Sequence, residues 1–109
     1  DRNGVANTLK EYIKNNPLDA VIALDTDASF ASYKVARDLD KKIPQDIAVI
    51  GYVSERMAPY LAPELTTINQ HSYTMGKTAA TLLIEQLENK SNNDHSVVID
   101  STLSQRSSS

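Results

Sequence analysis

Hydrophobic residues recur along the chain with two different periods. From Gly4 to Asn15, Val5, Ala6, Leu9, Tyr12 and Ile13 fall on one helical face, and Asn15-Asn16-Pro17 ends the pattern. The run Ala20-Val21-Ile22-Ala23-Leu24 is continuous and of strand length, which suits a strand covered on both faces by helices. Ala28, Ala31, Ser32, Val35, Ala36 and Leu39 return to helical spacing as far as Lys41-Lys42, whose charges suit a helix C-terminus, before Pro44 breaks it. Strands are then predicted over 47–51 and 65–68, with a short helical turn near Glu55 to Tyr60 between them. Met75, Ala79, Leu82, Leu83, Gln86 and Leu87 share one face of a helix over 73–89. A polar turn over 89–94 leads to a last strand over 96–101, and Ser104 to Ser109 reads as a polar tail that frays.

Helices over 4–15, 28–41 and 73–89, interleaved with four strands, define an α/β fold with a mainly parallel sheet flanked by helices and right-handed crossovers. Ligands of such sheets settle beyond the carboxyl ends of the strands. Those ends carry Asp25-Thr26, Tyr52-Val53-Ser54 and Asn69-Gln70, so polar groups able to fix a hydroxylated ligand gather on one edge. Asp25, Asp27 and Ser72 are equally suited to capping helices, which is the alternative reading of the same residues.

Composition narrows the function. A chain of 109 residues is expected to form one module. Its net charge of -3, with 11 scattered Lys and Arg, supplies no basic face for DNA. The absence of cysteine removes disulfide, zinc-thiolate and thiol-nucleophile chemistry. No apolar run has membrane-spanning length, so no membrane partner is expected. Gly76-Lys77-Thr78 imitates the end of a phosphate loop, but His71 stands where its first glycine belongs. His71 and His95 lack partners at ligand spacing, and Asp25 with Asp27 offers too few oxygens for a hard cation, so neither metal nor cofactor is expected. Asn89-Lys90-Ser91 fits a glycosylation triplet only by chance if the protein is cytosolic. No serine elbow or His-carboxylate pair suggests catalysis, and no enzyme is expected.

Several segments in fixed order carry a family likeness. They are DAVIALDTDASFASYKVA from Asp19, IPQDIAVIGY from Ile43, and Leu61-Ala62 followed by PELTTINQ from Pro63. Met75-Gly76-Lys77 and the terminal Leu103-Ser104-Gln105-Arg106-Ser107 complete the set. Together they resemble the regulatory core of LacI/GalR-type bacterial transcriptional regulators over nearly the whole chain. That family joins a helix-turn-helix and a hinge helix to two subdomains built like type I periplasmic sugar-binding proteins. The resemblance implies the C-terminal part of the effector-binding and dimerisation domain, with the helix-turn-helix and N-terminal subdomain outside this chain. It also implies that the helix from Tyr73 to Asn89 returns to the first subdomain.

By the same resemblance the effector contacts are Asp25, Thr26, Val53, Ser54 and Gln70. The family usually has Asn-Asp where this chain has Asp25-Thr26, and Asp-Asp where it has Val53-Ser54, so two customary ligand acids are missing. The implied partner is a small-molecule effector, a sugar or sugar derivative, phosphorylated forms included. Subunit pairing implies a homodimer through Phe30, Tyr33, Met57, Tyr60 and Leu61, one or two of which are expected to tuck into the core. DNA would be held only by the N-terminal domain outside this chain, in the cytoplasm. A lobe of an extracytoplasmic sugar-binding protein feeding a transporter shares the fold and is the competing reading.

Overall fold

In the computed structural model, residues 2–89 and 96–109 are described. Helix α1 spans Arg2–Asn15 and strand β1 Ala20–Ile22. Helix α2 covers Thr26–Asp38 and strand β2 Ala48–Gly51. A single 3-10 turn at Ala58–Tyr60 precedes strand β3, Thr66–Asn69. Helix α3 runs over Ser72–Asn89, and strand β4 is Thr102–Ser104. The sheet order is β1-β2-β3-β4, with β1, β2 and β3 parallel. The predicted α/β class and mainly parallel sheet are therefore observed.

The residues group in two compact units. One comprises 1–68 and 103–109, the other 69–102. In the first, Ala6 and Ile13 of α1 and Ala31, Val35 and Ala36 of α2 form a core with Ile47, closed by Leu9, Leu18, Val21, Leu39 and Ile43. A second core joins Val49, Val53, Ala58 and Leu65, with Tyr33, Ile43 and Leu61 against it. Side-chain amides of Asn15 and Asn16 donate to the carbonyls of Glu11 and Tyr12, so the residues that stop α1 also satisfy its last turn.

Four local expectations are corrected. First, β1 is not covered on both faces: Val21 and Ala23 turn inward, while Ile22 is 62% exposed and Leu24 is also exposed. A continuous apolar run does not reveal that only one of its faces has a helix packed on it.

Second, α2 ends before Lys41-Lys42. Leu39 is its C-cap, and Asp40 takes the left-handed conformation, φ 54°. The Asp40 N–H donates to the Arg37 carbonyl and the Lys41 N–H to the Ala36 carbonyl, the Schellman pattern with aspartate in place of glycine.

Third, residues 96–101 form no strand. They lie in the second unit, where Ser96, Val97 and Ile99 border an open cavity of about 360 Å³ with Met75, Thr78, Ala79 and Leu82 of α3. The sheet is joined only from Thr102 onward.

Fourth, the polar tail does not fray. Ser108 is fully buried: its N–H donates to the Glu64 carbonyl and its own carbonyl accepts from Val49 N–H. Its hydroxyl accepts from Thr66 N–H and donates to the Val49 carbonyl. Ser108 thus bridges β2 and the start of β3, and serine is there because both partners are backbone groups that need a polar atom. His95, the polar turn over 89–94 and the triplet from Asn89 to Ser91 lie outside the described residues, apart from the helical backbone of Asn89.

Candidate effector-binding edge

The ends of β1 and β2 are brought together by three short polar side chains. Asp25 is the N-cap of α2, its carboxylate accepting from Ala28 N–H at 2.7 Å. The capping role therefore holds for Asp25, and it uses one carboxylate oxygen while the residue stays exposed. The Thr26 hydroxyl donates to the Tyr52 carbonyl at 3.0 Å, which ties the first turn of α2 to the residue after β2. Ser29, fully buried, donates to the Asp25 carbonyl and accepts from Tyr52 N–H. A Cβ on Gly51 would collide with the Ser29 hydroxyl oxygen, so glycine lets the strand approach α2 this closely.

This geometry sorts the expected effector residues. Asp25, Thr26 and Ser54 are exposed at one end of the first unit. Val53, at 8% exposure, packs with Val49, Ala58 and Leu65, because an isopropyl group gains more from that core than from the wet edge. Gln70 is exposed and belongs to the second unit. Ser29 escaped the sequence reading; only the small residues at 29 and 51 hinted at the close approach. Gly76-Lys77-Thr78 sits inside α3, far from the strand-turn-helix context a phosphate loop requires. The His71 imidazole meets the Thr102 hydroxyl at 2.9 Å, and the described residues hold no group of three metal-ligating side chains.

The expected subunit patch divides in the same way. Met57 and Phe30 are exposed and Tyr60 is 89% exposed. Tyr33 and Leu61 are half-buried against the second core, so these are the two that tuck in. Burial pushes the Tyr33 phenol above its ordinary value, and its hydroxyl donates to the Pro63 carbonyl at 2.7 Å.

Between these groups lies a charged cluster. Arg106 places Nη2 2.6 Å from Glu55 Oε2, while Nη1 donates to the Leu65 carbonyl and to the Thr67 hydroxyl. Thr67 in turn donates to Glu55 Oε1 at 2.5 Å. Burial pushes the Glu55 carboxyl up, but the hydrogen bonds from Thr67 and Arg106, with the Arg106 charge, outweigh it and hold the group below its ordinary value.

A parallel α/β unit whose strand ends carry a polar edge is the architecture of a ligand-binding lobe. Residues 2–109 match the family described as "Periplasmic binding protein-like domain", and the chain belongs to that family, in the form found in LacI-type transcriptional regulators. It is 30% identical over 106 residues to the HTH-type transcriptional regulator CelR of Thermobifida fusca, covering 96% of this chain and 31% of that protein. Its fold is similar to that of a LacI family regulator of Enterococcus faecalis V583 crystallised with bound ribose. That match has a TM-score of 0.87 and 30% identity, over 99% of this chain and 40% of the other. It is also similar to a CelR-cellobiose complex, with a TM-score of 0.89 and 26% identity over 99% of this chain and 33% of the other. The chain thus spans about a third of the length of the relatives it matches. These relatives are regulators, and they lend no support to the competing transporter reading. Among the described residues no helix is long and apolar enough to cross a membrane.

Proposed function

We propose that this chain is the effector-sensing and subunit-pairing region of a cytoplasmic DNA-binding transcriptional regulator of carbohydrate metabolism. The observation that carries the reading is the match, over 99% of this chain, to regulators whose structures hold ribose and cellobiose. The effector is a sugar or sugar derivative. Its contacts in the first unit are Asp25, Thr26, Val53 and Ser54, and Gln70 is the candidate contact in the second. Thr26 has already given its proton to Tyr52, so toward a ligand it acts as an acceptor beside the free oxygen of Asp25. Phe30, Met57 and Tyr60 pair two copies of the protein, supported from behind by Tyr33 and Leu61. DNA is held by a region outside this chain, and the region described binds without performing catalysis.

Gel-shift titration tests this reading. The 109-residue chain, with a net charge of -3, shows no salt-sensitive DNA binding, whereas the complete regulator binds its operator as a dimer. Ribose, cellobiose or a phosphorylated sugar changes the operator affinity of the complete protein. Tight, sequence-specific binding by the 109-residue chain would overturn the assignment.

A further inference from the structure

The segment from Tyr52 to Leu65 carries both an effector contact, Ser54, and two members of the subunit patch, Met57 and Tyr60. Glu55 lies between them and is the sole carboxylate from Tyr52 to Pro63. A glutamate beside a wet edge would ordinarily extend into water. Here both of its oxygens are occupied, Oε1 by the Thr67 hydroxyl and Oε2 by Arg106. Arg106 is itself held on both sides of the first residues of β3. Its N–H donates to the Thr66 hydroxyl, and its guanidinium reaches the Leu65 carbonyl and Thr67. The Arg106 side chain is only 16% exposed, so its charge needs the carboxylate. Immediately after Glu55 the chain turns, with the amides of Met57 and Ala58 donating to the Ser54 carbonyl and the Leu65 amide donating to Ala58.

We propose that Arg106 is a positioning residue that latches the 52–65 segment through Glu55, fixing where Ser54 stands relative to Met57 and Tyr60. The inference rests on the effector and subunit roles proposed above for those three residues. The latch itself does not. A forked guanidinium suits the task because one planar group meets a carbonyl, a hydroxyl and a carboxylate at once, which an ammonium cannot do. The Glu55 carboxylate is thereby spent on placing the loop and is not offered to the ligand.

Hydrogen exchange on the full chain tests the latch, using E55Q, R106K and R106M. Exchange at the Met57, Ala58 and Leu65 amides reports opening of this segment. The Asn16 and Leu39 amides, which donate to Tyr12 and Val35, are the references in α1 and α2. E55Q and R106M should each raise segment exchange roughly ten-fold or more, the scale of a lost hydrogen bond to a charged group. R106K should raise it less, because the ammonium keeps the charge and loses the fork. E55Q/R106M should not exceed R106M alone, because the bond lost in E55Q is already lost there. Unchanged exchange in E55Q would overturn the proposal, as would an equal rise at the reference amides, which would mark the pair as a general stabiliser. E55Q keeps the side-chain shape, so the test stands even if R106M fails to fold. Sedimentation of the same variants beside Tyr60→Ala separates the two readings. Segment exchange that responds while association does not leaves the latch standing and removes the subunit patch.

Discussion

Replacing Ser108 by alanine tests how far the C-terminal residues belong to the core. The hydroxyl accepts from the Thr66 amide at 2.8 Å and donates to the Val49 carbonyl at 2.5 Å, all three residues being fully buried. Alanine removes both bonds and leaves the Thr66 amide without an acceptor where water is excluded. An orphaned buried amide costs about 1–3 kcal/mol, and the lost bond to Val49 roughly 0.5–1.5 kcal/mol more. The expected loss is therefore about 2–4 kcal/mol, a large share of the stability of a small protein. Urea unfolding followed by tyrosine fluorescence is a suitable assay, because the chain has no tryptophan and Tyr33 sits against the affected core. At unchanged slope, the midpoint should fall by roughly 1–3 M. Ser107→Ala, at an exposed position, should stay within about 0.5 kcal/mol of the parent. A Ser108→Ala protein as stable as the Ser107→Ala control would refute the reasoning.

Val53→Asp, which would restore a customary ligand acid, should instead destabilise by about 3 kcal/mol or more, because the carboxylate enters an apolar core without a partner; denaturation midpoints read this. Gly51→Ala should destabilise by about 1–3 kcal/mol through the clash with Ser29, and adding Ser29→Ala should recover part of the loss in the same assay. Glu55 titrates below its ordinary value of 4.5, so its contribution to stability is present above that value and fades as pH falls through the lower folded value. Midpoints measured from pH 6 downward should fall less steeply in E55Q than in the parent.

The two periods in the sequence made most of the architecture legible. Helical spacing marked α1, α2 and α3, and short apolar runs marked β1, β2 and β3, because each reflects which side chains share a face. What failed was information that belongs to partners rather than to the segment itself. Val97-Val98-Ile99 has strand composition, yet the sheet is met only at Thr102. Ser107-Ser108-Ser109 has the composition of a frayed end, yet backbone groups of β2 and β3 receive Ser108. The exposed place of Asp25 and Thr26 after β1 was legible because a polar pair follows the apolar run. The Glu55–Arg106 pair was not, since its members stand 51 positions apart and neither has a local signature.

We propose that the strand-end edge of this chain senses a sugar-like effector. Calorimetric titration of the complete regulator with ribose, cellobiose, other mono- and disaccharides and their phosphates, in parent and Asp25→Ala forms, tests it most directly. A ligand of this panel should bind the parent, and Asp25→Ala should weaken it by about 1–3 kcal/mol, the range for losing a hydrogen bond to a charged group. Unchanged affinity in Asp25→Ala would show that Asp25 is only the cap of α2 and would contradict the placement of the effector at this edge.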